Sequence, residues 1–158
     1  MKRTLAARAR KAWSAMDGPS DAWLAARILA AALIVRLAKY VVPLPRLVAA
    51  MTPPPQADGS RDRRRESRIA LFAGWSARVV RPRDAGNCLE RSVVLYRELA
   101  RAHARPRLCI GFRRENSTIL GHAWVLVDGA PVADSAHVCD RYEVAMVFDP
   151  DQPRRTAA

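Results

Sequence analysis

The apolar residues of this chain change period part-way along it. In the first two thirds, apolar and small residues recur three and four apart, as in Ile69, Phe72, Ala73, Ser76 and Val80, or in Cys88, Ser92, Leu95 and Leu99. From residue 107 they gather instead in short runs, RLCIGF, HAWVLV, PVAD and YEVAMVF, bounded by charges and turn residues. The first spacing lines one face of a helix, and the second fits strands of a half-buried sheet. Helices followed by an antiparallel meander predict an α+β domain with helices packed against the sheet.

Punctuation residues divide the helical part. An Ala/Leu-rich helix is expected from Asp21 to about Val42, capped by Ser20 or Asp21 and stopped by the PLP at residues 43–45. A short helix follows over Pro45 to Met51, and TPPPQADGS at 52–60 reads as a loop. That loop suggests an N-terminal helical extension, residues 1–60, ahead of a main domain over 61–158. The next helix runs from Arg63 to Val80 and ends at Pro82 and Asp84 to Gly86; another occupies 85–101. With 158 residues, half of them hydrophobic, one core is within reach.

Charge and cysteine usage exclude several classes. The formal charge of +12 is concentrated at the front, where residues 1–68 carry 14 Lys/Arg against 5 Asp/Glu. The densest patch, RDRRRESR at 61–68, reads as a solvated helix face or linker. No zinc-finger spacing or RNA-binding aromatic motif accompanies it, so no nucleic-acid partner is expected. Charges scattered through MKRTLAARARKAWSAM do not suit a signal peptide. The run at 22–42 is broken by Arg27, Arg36 and Lys39, which fits a helix lying on the domain, a partner or a membrane surface rather than spanning a bilayer. Three cysteines without a CxxC pair match neither a disulfide framework nor a zinc site, so free thiols in a reducing cytoplasm are expected, with no metal or cofactor.

One of those cysteines is placed for chemistry. In NCLE, Asn87 is a favoured N-cap and Glu90 stands three residues on, as in a capping box, which sets Cys88 at the first helical position. Unpaired N–H groups and the positive end of the helix dipole favour a thiolate there. The same donors suit an oxyanion. The competing reading is a buried core cysteine, since Cys88 begins the stripe that Ser92, Leu95 and Leu99 continue. Cys109 and Cys139 lack such placement and read as structural.

A nucleophilic cysteine needs a base, and the base needs a third group to orient it. GHAWVLVDGAPVAD, residues 121–134, offers His122 and Asp134 on two strands around the Asp128-Gly129 turn. A two-residue loop would put His122 opposite Ser135 and Asp134 on the other sheet face. A three-residue loop over Val127, Asp128 and Gly129 puts His122 opposite Asp134, and this register is predicted. Cys88, His122 and Asp134 then form a triad.

Taken together, NCLERSVVLYRELAR, RLCIGF and GHAWVLVDGAPVAD resemble the transglutaminase-like cysteine peptidases of lasso-peptide biosynthesis, specifically the stand-alone leader peptidase of the split maturation proteases. The resemblance implies a papain-like core in which Cys88 is the nucleophile, His122 the general base and acid, and Asp134 the orienter. It implies removal of the leader from a ribosomal lasso precursor peptide before a separate cyclase closes the macrolactam. It also implies dependence on a small leader-recognition protein, the RiPP recognition element, because no segment here resembles that module. The same triad could instead transfer the acyl group to an amine. A different class of reading is a non-catalytic peptide-binding module docking through the basic N-terminal region.

Overall fold

In the computed structural model, which describes residues 16–54, 59–80 and 87–156, the helical spacing of the first part becomes four helices. They are α1, Pro19–Ala38; α2, Leu44–Met51; α3, Arg63–Val80; and α4, Cys88–Arg101. α1 starts two residues earlier than expected because Pro19, with its fixed φ and no N–H to lose, suits the first helical position. Asp62 takes the cap of α3, accepting from the N–H groups of Arg64 and Arg65 at 2.9 and 3.3 Å. The residues expected to end α3, Pro82 and Asp84 to Gly86, lie outside the described residues, as do the first 15 and residues 55–58 of the Pro-rich loop.

Each helix buries the face its spacing marks. On α1 this is Leu24, Ala25, Ile28, Ala31, Ala32 and Val35, whose alanines let it lie close on α3 and α4. On α3 it is Ile69, Phe72, Ala73, Ser76 and Ala77. Leu47, Val48 and Met51 of α2 join the same apolar cluster, as do Val93, Leu95 and Leu99 of α4. Residues on both sides of the Pro-rich loop therefore share one core. Full burial of a Leu, Ile or Phe is worth about 1.5–3 kcal/mol, so α1 with its six buried residues contributes heavily to folding. Three ion pairs also tie it down: Asp21 with Arg68, Arg27 with Glu98, and Lys39 with Glu90. Among the described residues no helix is long and apolar enough to cross a membrane.

The strand-like runs form one antiparallel sheet in the order β3-β2-β1-β4-β5, built from β1, Arg107–Glu115; β2, Thr118–Val127; β3, Ala130–Val132; β4, Glu143–Asp149; and β5, Gln152–Thr156. Leu108, Val125 and Val127 face the helices, completing their core. On the other face Cys109 and Trp124 pack with Val138 of the short helix α5, Val138–Arg141, which also carries Cys139. The expected α+β fold, helices against an antiparallel sheet, is the fold observed.

The β2–β3 turn differs from expectation. Asp128 and Gly129 both have positive φ, 52° and 80°, and Val127 pairs with Ala130, so the loop has two residues and not three. Asp-Gly is the pair that tolerates two left-handed residues in succession, and the resulting turn matches the natural strand twist. The ladder continues only to Val125 opposite Val132.

Candidate active site

Carried further, that register would set Asp134 on the sheet face away from His122. It is not carried further, because Ala133 adopts a left-handed conformation, φ 56°, and breaks the strand. The chain bends there, and Asp134 Oδ2 lies 2.9 Å from His122 Nε2. The two side chains meet as expected, by a strand break instead of direct cross-strand pairing. Asp134 Oδ1 accepts its neighbour's N–H, from Ser135 at 2.8 Å, which fixes the carboxylate further.

The early end of β3 has a second effect. Beyond Val132 the outer edge of β2 has no strand partner among the described residues, and α4 packs along it. Ser92 Oγ donates to the Ala123 carbonyl at 2.8 Å, and the Ala123 N–H is among the groups that favour a thiolate at Cys88. Docking α4 on this edge sets the half-buried Cys88 thiol beside His122, close enough for the imidazole to favour the thiolate. Since Nε2 faces Asp134, Nδ1 is the ring nitrogen left for the sulfur.

Cys88 occupies the first position of α4, as expected, but the capping box does not form. Asn87 makes no side-chain cap, its amide reaching toward the Ala77 carbonyl at 3.5 Å, and Glu90 is drawn into the core by Lys39 at 2.8 Å. A partly buried cation outcompetes the neutral amide as a partner for that carboxylate. The stripe beneath Cys88 is buried too: Ser92, Leu95 and Leu99 are each at most 1% exposed. The sulfur is thus both the top of a core stripe and the open end of the helix.

The surroundings favour the charged pair. Burial, the largest influence on Cys88, works against the thiolate, but the His122 imidazole and the N–H groups of Ala123 and Leu89 outweigh it and hold the thiol below its usual range. His122 is raised, first by its hydrogen bond with Cys88, against an opposing effect of burial, and then by Asp134. Cys109 is the contrast: burial pushes it up to about 11, which suits an inert core thiol. Cys139 is exposed, and His137 pairs loosely with Asp140 at 3.5 Å on the surface.

Two further residues belong to the site. Tyr142 stacks on His122 with ring centroids 5.0 Å apart, on the side where Trp124 lies at 6.1 Å, and Arg113 sits 5.4 Å over the Tyr142 ring. This aromatic wall restricts the imidazole to one plane. Arg91 Nη2 reaches Asp134 Oδ2 at 2.5 Å, on the same oxygen that His122 uses. Arg91 was discernible in principle, because three residues past Cys88 is the same helix face. Tyr142 follows a helix that no pattern announced.

A thiol activated at a helix start, an imidazole against it and a carboxylate behind the imidazole can form and break a thioester. No curated protein and no solved structure matches the chain at a significant level. Residues 28–147, which include Cys88, His122, Asp134 and most of α1, match the Transglutaminase-like superfamily, and the chain belongs to that superfamily.

Proposed function

We propose that the protein is a cysteine peptidase that removes the leader from a lasso-type ribosomal precursor peptide in the cytoplasm. The observation that carries the reading is the His122–Asp134 pair at 2.9 Å beside the start of α4, where the imidazole helps to lower the Cys88 thiol. The motifs NCLERSVVLYRELAR and GHAWVLVDGAPVAD support the leader-peptide substrate.

The chemistry follows from the residues. The Cys88 thiolate attacks the scissile carbonyl carbon, forming a C–S bond and an oxyanion. First-turn N–H groups of α4, which have no acceptor within the helix, are the donors nearest that charge. Collapse breaks the C–N bond, and the imidazolium of His122 gives its proton to the departing amine. Water then attacks the thioester, His122 takes the water's proton, and the thiol is restored as the leader leaves as a carboxylate. Asp134 holds the ring in one tautomer throughout.

In this reading a small leader-recognition protein delivers the precursor, and the basic N-terminal region contacts that carrier, the leader or the cyclase. Intact-mass spectrometry of a candidate precursor, incubated with and without the carrier, tests it. Wild type should release leader and core peptide and Cys88→Ala should not. Precursor unchanged in both mixtures, or cleaved equally by Cys88→Ala, sinks the reading. Adding a primary amine separates hydrolysis from acyl transfer, because transfer would yield a leader–amine adduct.

A further inference from the structure

Asp134 serves two donors with one oxygen. His122 Nε2 lies 2.9 Å from Oδ2, and Arg91 Nη2 approaches the same atom to 2.5 Å. Both pairs are largely shielded, the Asp134 side chain being 13% exposed and that of Arg91 22%. Arg91 lies one turn beyond Cys88 on α4, so the helix that carries the nucleophile also grips the carboxylate behind the base. We propose that Arg91 is a positioning residue of the site: it neutralises Asp134 and thereby limits how tightly the carboxylate holds the proton on His122. The proposal rests on the triad reading above.

His122 and Arg91 compete for the charge of Asp134. A carboxylate with no other counter-charge favours an imidazolium beside it strongly. His122 would then stay protonated, and a protonated ring cannot take a proton from the water that opens the thioester. Arg91 offsets the negative charge at the shared oxygen, so Asp134 still orients the ring while His122 remains able to cycle. Loss of Arg91 need not displace Asp134, because the Ser135 N–H holds Oδ1 at 2.8 Å independently. The other groups around His122 are the Cys88 thiol from α4, Tyr142 and Trp124 against the ring, and Arg113 behind Tyr142. None of these changes when Arg91 is replaced.

The chain has three histidines, so the His122 imidazole can be followed by NMR through a pH titration of full-length protein. Arg91→Met should titrate at higher pH than wild type, with Arg91→Lys close to wild type because the charge is kept. The rate of Cys88 alkylation by iodoacetate, whose carboxylate is drawn by the imidazolium, should fall off at higher pH in Arg91→Met than in wild type, as mapped by mass spectrometry. Circular dichroism checks that each variant folds, and Arg91→Gln replaces Arg91→Met if the latter does not. An unchanged or lowered His122 titration in the neutral variant overturns the proposal, as does Arg91→Lys shifting as far as Arg91→Met. Neither readout needs a precursor, so failure of wild type to cleave peptides would refute the peptidase reading without touching this result.

Discussion

Replacing Lys39 with methionine is expected to destabilise the protein far more than a change at a helix end ordinarily does. Lys39 Nζ donates to Glu90 Oε1 at 2.8 Å, and Glu90 is 1% exposed with no hydrogen-bond partner at Oε2. Among the described residues Lys39 is the cation that offsets this carboxylate. Removing one member of a buried pair costs about 3–5 kcal/mol, because the other is left as an uncompensated charge. The Lys39 side chain is 15% exposed, so water can partly reach the vacated site. The expected loss is therefore at the lower end, about 3 kcal/mol, or a fall in Tm of about 6–12 °C for a chain of this size. The double variant Lys39→Met with Glu90→Met should recover most of the loss, since an apolar pair of similar volume replaces an ionic one. Urea unfolding followed by circular dichroism measures both. A Lys39→Met protein within about 1 kcal/mol of wild type, or a double variant no better than the single, would show that Glu90 does not depend on Lys39.

Other outcomes follow from the same structure. Ala133→Gly should stabilise by about 0.5–1 kcal/mol, since the left-handed conformation at φ 56° costs an L-residue more than the added freedom of the unfolded chain, and a less stable Ala133→Gly would contradict it. Ile28 is fully buried, so Ile28→Ala should cost about 2–5 kcal/mol in urea unfolding, and deletion of residues 1–60 should abolish the cooperative transition; a truncated protein that melts cooperatively would show that α1 is dispensable for folding. Cys109 has a folded pKa of about 11 against 9.0 for an ordinary thiol, so its contribution is intact below the lower value and fades as pH rises through the higher. Under reducing conditions Cys109→Val should lose less stability than wild type from about pH 9 to 11, by up to about 2 kcal/mol, and parallel losses would contradict the assignment.

How much of this was legible in the sequence depended on which residues set each feature. The limits of α3 were legible because a periodic apolar face meets the basic run at Arg63 and gives out at Val80. Cys88 at the first position of α4 was legible from the short polar residue before it, although Asn87 does not cap and Glu90 turns inward to Lys39. That inward turn depends on a residue 51 positions away, which no local pattern encodes. The contact of His122 with Asp134 was anticipated through the wrong turn. Asp128 accepts positive φ readily, but alanine at 133 carries no sign that the strand will break there. α5 and β5 escaped notice because four and five residues are too few for a period to emerge.

In the proposed reading His122 and the start of α4 make Cys88 a nucleophile. The rate of its alkylation by iodoacetamide across pH, resolved from Cys109 and Cys139 by peptide mapping, tests this most directly. Wild type should react through a thiolate that forms below the ordinary thiol range, and His122→Ala should move that inflection upward. A Cys88 that titrates like an ordinary thiol in wild type, and is unaffected by loss of His122, would contradict the account.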